Sequence, residues 1–519
     1  MTNLQIPAFL SRRPACIGLL AALAILVVLP VIMAPHLPLL DAPAHEARLA
    51  VLRDLLITGH GSPFYELDGF FLPNIAFDLI GLGLALFAAP ELAGRIFFGL
   101  TLLLTISGVT VLNRVATGRW SLVPLASALL LYNLVSILGF FSYIFGLALV
   151  PWALAARLKL EGHAPIAASA AGAILSVLLL FCHLSDFGIY AVMSAGFALT
   201  ALRQRRIGFG QALVRALEPV PAALLFLAMS TASASRASYD PHFLAAKLLG
   251  LAKALTSASI GGDIAFVIGA ISFAFLLLFF SRPRLAPSFI PGLIGLVVLY
   301  FALPAKMASG SYVDIRLPIA VALLALAGLD AQLRPAKAAV ALLAVFSAAF
   351  VAKQAAITVL WRSFTAPIDA VIRALDTLPA GAVILQSECL PQRSAILDIY
   401  RSRQPATQHL SSLSNFGDSR FVAEAYAIAG QQPIRVAHFY KRYSRLQESF
   451  DPTCDPSDYP SRVARIQTLM QAEAASGNAV PPLFFLLLHP PAAISLQSQA
   501  RLLSTGQDYA LYEIAKSGN

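Results

Sequence analysis

ACIGLLAALAILVVLPVIMAPHLPLLDAPAHEARLAVLRDLLITGH, residues 15–60, opens as an unbroken apolar run and then crowds Asp41, His45, Glu46, Arg48, Arg53 and Asp54 into one short segment. Crossing about 30 Å of hydrocarbon takes roughly 20 apolar residues, and residues 15–34 supply them. The run follows Arg12 and Arg13, as a signal peptide would. It is too long for an apolar signal core and ends in no small-residue cleavage site, so it reads as a retained anchor. Apolar runs of the same kind, about twelve in all, recur to about residue 354. With 519 residues, a mean hydropathy of +0.75 and 12% charged residues, the chain cannot be an ordinary soluble globule. The expected fold class is a polytopic α-helical membrane protein with roughly eleven to thirteen transmembrane helices. The net charge of +10 comes from Lys and Arg clusters in short loops between apolar runs. That pattern marks cytoplasmic turns and gives no reason to expect nucleic acid as a partner.

The texture changes near residue 356. Residues 1–356 read as a multi-pass transmembrane domain whose first exterior loop, 35–72, bears a helix, and residues 357–519 as an extracytoplasmic α/β domain. Arg12 and Arg13, RQRR (203–206), RPR (282–284) and RPAK (334–337) mark the cytoplasmic face. The first loop, FCHLSDF (181–187), residues 233–262, KMASGSYVDIR (306–316) and the C-terminal domain then lie outside. An inside N-terminus and an outside C-terminus demand an odd number of spans. One of the apolar segments between about 73 and 160 must therefore be short, broken or re-entrant.

Within the loop, Pro43 suits the first turn of a helix and Asp41 its N-terminal acid. Leu49, Leu52 and Leu56 follow at helical spacing, with Arg48, Arg53 and Asp54 elsewhere on the wheel, which predicts an amphipathic helix on the membrane surface. Taken alone, the segment is a capped helix with solvated charges. Three further features point to chemistry on the same face. Asp78 sits inside the apolar run LPNIAFDLIGLGLALF, where an ionisable group is costly. His183 and Asp186 lie between two spans. Arg316 enters a span from that face and is expected to form a second polar cluster with Asp314, Tyr312 and Lys306. Each has a structural alternative in a cap, a buried ion pair or a snorkelling cation.

LLDAPAHEARL, PELAGRIFFGLTLLLTISGVTVLNRVATGRW, LGFFSYIFGLAL (138–149), CHLSDFGIY (182–190), YVDIRLP (312–318), RLPIAVALLALAGL and GQQP (430–433) resemble the membrane-integral GT-C glycosyltransferases, and in particular the protein O-mannosyltransferase and lipid A aminoarabinose transferase type. They also resemble a group of uncharacterised bacterial multi-pass proteins. The resemblance implies transfer of a sugar from a polyprenyl-phosphate donor to a glycan, lipid or protein acceptor at the periplasmic face of a bacterial inner membrane. It assigns Asp41 as general base, Arg316 to the donor phosphate, and Arg95 to the Arg that opens the third segment. The family's tight pair of acids after the first span is missing, since Asp41 and Glu46 are separated, which weakens the case for a divalent metal. His45 has no counterpart. His45, Glu46, Arg48, Asp78, Arg95, His183, Asp186, Lys306, Tyr312, Asp314 and Arg316 form the expected substrate-binding set. A carboxylate base and cations facing a phosphodiester leaving group are chemically sufficient without a cofactor, and Arg suits a phosphate through its planar fork. No HExxH, P-loop, CxxC pair or GxSxG elbow is present.

In the C-terminal domain, LPAGAVILQSECL (378–390), PIRVAHFY (433–440), PLFFLLLHP (482–490) and DYALYEIA (508–515) read as strands. TAPIDAVIRALDTL and RVARIQTLMQAEAA read as helices on one sheet. Cys389 and Cys454 are either a disulfide or two free thiols. The rival functional readings are a transporter or flippase of lipid-linked glycans, since intramembrane Asp and Arg also mark transport paths, and a non-enzymatic envelope assembly protein. No internal repeat of the kind many transporters carry is visible.

Overall fold

The run LFFLLL at 483–488 carries no polar side chain on either face, and it forms the middle strand of a five-stranded sheet. In this computed structural model, residues 13–229, 237–307, 310–334, 336–389, 404–415, 420–450, 453–491, 494, 496 and 499–515 are described. Arg12, Leu390 and part of the 233–262 and 306–316 loops lie outside the described residues.

The strand order is Ala500–Thr505, Tyr509–Ile514, Leu483–Leu488, Val383–Glu388, Phe421–Val422. Val383 pairs in parallel with Leu483 on one side and with Phe421 on the other, while Tyr509 pairs antiparallel with Leu488 and Ala500 with Ile514. Because side chains alternate across a strand, the two central strands feed two cores. Val383, Leu385, Leu483, Phe485 and Leu487 pack with Val463, Ile466 and Met470 of the helix Asp458–Ala475. Ile384, Phe484, Leu486 and Leu488 pack with Ile368, Val371 and Leu375 of the helix Thr365–Asp376. Burial on both faces explains why these strands read as continuous apolar runs. The expected strand at 433–440 is shorter and lies elsewhere. Ile434–Val436 pairs antiparallel with Tyr65–Leu67 of the first loop, and a 3-10 turn, His438–Tyr440, follows it. The edge strand Ala500–Thr505, with Leu502 and Leu503 exposed, had no sequence signal strong enough to mark it.

The contacts divide the chain into two compact units. One holds residues 1–33, 73–77 and 96–360; the other holds 34–72, 78–95 and 361–519. The first loop is thus counted with the C-terminal segment.

The first unit is helical, and the protein is a multi-pass membrane protein. Among the described residues seven helices are long and apolar enough to cross a membrane, and three apolar helices are shorter. The seven are Pro90–Thr117, Phe141–Glu161, Pro165–Cys182, Leu184–Arg203, Phe209–Met229, Ile260–Phe280 and Lys337–Asp376. The broken segment expected between 73 and 160 is visible. A 3-10 helix, Val123–Leu130, and a four-residue helix, Leu134–Ile137, are both fully buried and both shorter than a span. Asn133 caps the latter by accepting from the Ser136 amide. Elsewhere, small residues let helices approach closely, as is common in membranes. A Cβ on Gly196 would stand 2.4 Å from the Gly292 amide nitrogen, so Leu184–Arg203 and Ile290–Ala302 meet backbone to backbone.

Cys389, just past the strand Val383–Glu388, is bonded to Cys454, 65 residues on. Closing a loop of that length stabilises by about 4 kcal/mol in the chain-entropy account. The Cys389→Ser, Cys454→Ser double variant should therefore unfold at clearly lower temperature than the oxidised wild type. In thermal melts the two should converge once the wild type is reduced.

Candidate functional site

The polar segment after the first apolar run forms the helix Ala42–Arg53, with Asp41 at its N-cap position and Pro43 in the first turn. Asp41 makes no side-chain capping bond. The helix is not the exposed amphipathic helix expected from its charge pattern: every residue from Ala42 to Leu52 is buried. Pairing explains the difference. Arg48 donates through Nε to Asp78 Oδ1 at 2.6 Å and through Nη2 to Asp78 Oδ2 at 3.2 Å. Arg48 is 1% exposed and Asp78 0%. The costly intramembrane-type acid and the loop arginine thus neutralise each other in a bidentate pair. The same Arg48 Nη2 donates to His45 Nδ1 at 2.8 Å. Burial, with Arg48 and then His409 adding positive charge nearby, holds His45 well below the ordinary imidazole range. His45 is then the neutral acceptor that this bond requires. Glu46 is pushed well up by burial and by Glu91, with Arg95 opposing. Arg95 itself donates to the Ala34 carbonyl at 3.3 Å.

Asp41 meets residues that the sequence did not single out. Tyr426 donates its hydroxyl to Asp41 Oδ1 at 2.7 Å. His409 Nε2 lies 3.2 Å from the same hydroxyl and 3.9 Å from Asp41 Oδ1. His409 Nδ1 faces Glu424 Oε2 at 2.7 Å. Burial works against a charged His409, but the hydrogen bond and charge of Glu424, followed by Asp41 and Glu388, raise it to about 8. Glu424 is lowered: burial opposes its charge, but His409 and Gln447 bond it. Burial and then the Asp41 charge push the Tyr426 phenol well up, so it stays a donor. The rings gather around Asp41, with Tyr426 edge-on to His45 at 5.7 Å and tilted against His409 at 5.1 Å.

The sheet holds this cluster from below. At the carboxyl end of Val383–Glu388, Gln386 accepts from the Ser411 amide at 3.1 Å, fixing the 3-10 turn Leu410–Asn415 that follows His409. Gln447 donates to the Gln386 carbonyl at 2.7 Å and to Glu424 Oε1 at 2.9 Å. Both His409 (φ 64°) and Tyr426 (φ 47°) have left-handed backbones, a conformation unusual for non-glycine residues and concentrated at functional sites.

The remaining expected residues belong to the other unit. His183 ends Pro165–Cys182 and caps Leu184–Arg203, accepting through Nδ1 from the Ser185 amide at 3.0 Å. Its Nε2 lies 2.6 Å from Arg316 Nη1. The Arg316 guanidinium is held between two rings, 4.6 Å from the Phe140 centroid and 5.3 Å from the Tyr143 centroid. Asp186 is fully buried with no hydrogen-bond partner among the described residues. Its carboxylate fills the space a Cβ on Gly146 would occupy. Tyr312, also left-handed at φ 58°, has its ring 6.4 Å from Phe140. Among the described residues, Asp314 and Lys306 are placed otherwise than in the expected cluster with Arg316. Asp314 Oδ2 accepts instead from Lys247 at 2.5 Å, and Lys306 is exposed on a short hairpin strand. Lys247 lies in a segment, FLAAKLLGLAKA, that reads as plain helix and gave no warning of this role. Among the described residues no group of three His, Cys, Asp or Glu side chains is arranged to hold a metal ion.

With the geometry in place, solved structures supply the comparison. A crystal structure of ArnT from Cupriavidus metallidurans bound to undecaprenyl phosphate aligns with 98% of this chain and 99% of its own, at a TM-score of 0.50 and 14% identity. The apo ArnT structure aligns with 96% and 98%, at a TM-score of 0.52 and 13% identity. This chain has the ArnT fold. The GT-C resemblance read from short motifs is thereby supported at the level of architecture along almost the whole length. The arabinofuranosyltransferase AftD from Mycobacteria aligns with 96% of this chain and 41% of its own, at a TM-score of 0.48. No family model and no curated protein matches the sequence.

Two outcomes follow from the charges. Breaking the Arg48 pair from one side, with Asp78→Asn or Arg48→Met, should cost about 3–5 kcal/mol because a buried charge is left behind; loss of folded protein on size exclusion would register it. His409 has its charge favoured by folding, so its contribution is complete below the unfolded value near 6.5 and disappears as pH rises through about 8. The amount is roughly 2 kcal/mol. Thermal melts between about pH 6 and about pH 9 should show this alkaline loss in the wild type and not in His409→Gln.

Proposed function

We propose that this protein is a membrane glycosyltransferase that moves a sugar from a polyprenyl-phosphate-linked donor to a glycan, lipid or protein acceptor at the extracytoplasmic face of a bacterial inner membrane, with Asp41 as general base. The observation that carries the reading is the match, over nearly the full length, to an ArnT structure that holds undecaprenyl phosphate. The chemistry of Asp41 is consistent with it. An acceptor hydroxyl attacks the anomeric carbon, a new C–O bond forms, and the bond from that carbon to the phosphate oxygen breaks. The electron pair leaves on the polyprenyl phosphate, and the acceptor's proton passes to Asp41. Asp41 is 8% exposed and held by a tyrosine donor, which fixes its direction before the substrate arrives and removes competing water.

The leaving phosphate is a weak base and calls for cations more than for an acid. Arg316 is assigned to it. Its guanidinium is pinned between Phe140 and Tyr143 and bonded to His183, so that little side-chain entropy remains to be lost on binding an anion. Arg48 and Asp78, by contrast, are committed to each other. They are read as the support of the Asp41 helix and not as donor ligands.

The reading is tested by incubating the purified full chain in nanodiscs with undecaprenyl phosphate and measuring lipid retention by native mass spectrometry. Wild type and Asp41→Asn should both retain the lipid, and Arg316→Ala should retain at least tenfold less. With the polyprenyl-phosphate sugar pool extracted from the host membrane, Asp41→Asn should lose about 10²–10⁴-fold in sugar release. A wild type that neither binds the lipid nor releases sugar would sink the reading.

A further inference from the structure

Two assignments of protons compete around His409. If the imidazole is neutral with its proton on Nδ1, facing Glu424 Oε2 at 2.7 Å, then Nε2 is an acceptor. The Tyr426 hydroxyl, 3.2 Å away, must then choose between His409 and Asp41. If the imidazole carries both protons, the chain runs one way without conflict. His409 donates to Glu424 and to the Tyr426 oxygen, and Tyr426 donates to Asp41 Oδ1 at 2.7 Å. The charge state of one ring thus decides where the phenol proton points.

We propose that Glu424, His409 and Tyr426 form a positioning relay for Asp41, in which a protonated His409 commits the Tyr426 hydroxyl to the Asp41 carboxylate and a neutral one draws it away. This deepens, and rests on, the reading of Asp41 as the base. The relay lies wholly within the unit that holds residues 34–72, 78–95 and 361–519. His409 and Tyr426 both stand on left-handed backbones, φ 64° and 47°. Such conformations persist where the surroundings over-determine them, here the Gln386 bond to Ser411 and the Gln447 bonds to Gln386 and Glu424.

Among the described residues, the groups acting on His409 come from several elements. Glu424 and Tyr426 follow the strand Phe421–Val422, Asp41 and His45 open the helix Ala42–Arg53, and Glu388 ends Val383–Glu388. The helix Thr365–Asp376 also packs against the turn after His409, and its Asp369 is bonded to His36 at 2.8 Å. Glu424, Asp41 and Glu388 favour the imidazolium, which places the changeover near pH 8. The relay is therefore engaged at neutral pH and released in mild alkali.

The experiment is a histidine-selective NMR titration of the full chain in nanodiscs, with the His409 signal identified by its absence in His409→Gln. The wild-type midpoint is expected near 8. Asp41→Asn should lower it by about one unit, and Asp41→Glu, which keeps the charge, should restore it. Tyr426→Phe, a one-atom change, should also lower the midpoint, because the Nε2 proton loses its acceptor. A midpoint that ignores both Asp41→Asn and Tyr426→Phe overturns the relay. A wild-type midpoint at or below the ordinary histidine value does so as well. Undecaprenyl phosphate retention on the same preparations keeps the two readings apart. Coupling without lipid retention or sugar release would overturn the transferase reading and leave the coupling of His409 to Asp41 standing as a property of the site, and retention without coupling would overturn the relay alone.

Discussion

A charged side chain taken out of water must find its partner, and in this protein that constraint organises the first loop. Arg48 and Asp78 lie in different helices and are almost fully buried, joined by two hydrogen bonds. Either one alone would carry an uncompensated charge into an apolar interior. Together they fix the helix Ala42–Arg53, and with it Asp41 at its start. His45 then completes the Arg48 donor set as a neutral acceptor. The position of the candidate base is thus set by an ion pair that need not itself touch a substrate.

The same rule recurs in the helical unit. Arg157 donates to both oxygens of Glu218, at 2.6 and 3.0 Å, and to Glu161 at 3.0 Å. Lys247 is bonded to Asp314. Arg316 is held differently: its guanidinium lies 2.6 Å from His183 Nε2 and over the faces of Phe140 and Tyr143. The negative faces of the two rings favour a cation between them, whereas Arg157, Arg48 and Lys247 are each held by a carboxylate.

The architecture was legible because hydropathy is a one-dimensional signal. Long apolar runs, and the buried strands VILQSE and LFFLLL, follow directly from residue type. The site was half legible. Asp41, Arg48, Asp78, His183 and Arg316 stood out as polar groups in apolar surroundings, but which of them pair could not be read from spacing. Charges on a helix wheel look the same whether they face water or a buried partner, and so the helix Ala42–Arg53 looked like an exposed one. His409, Glu424 and Tyr426 sit in QPATQHLSSL and FVAEAYAIAG, short polar stretches with no periodicity. Their value comes from left-handed backbones and from strands far away in sequence, neither of which composition reveals.

The unit that holds Asp41 is assembled from the two ends of the chain. Ala47, Val51, Leu52, Phe64 and Tyr65 share one core with Phe421, Ile434, Tyr443 and Phe485, and Tyr65 pairs with Val436. During synthesis the early half of that core is made first and waits while more than half of the chain is still being translated. Its apolar face and the unpaired edge of Tyr65–Leu67 remain uncovered throughout. Folding of this unit is therefore a late event with costly long-range closure. A ribosome that stalls after the last apolar helix would leave a chain with an exposed, aggregation-prone loop, an obvious target for proteolytic surveillance and for a holding chaperone.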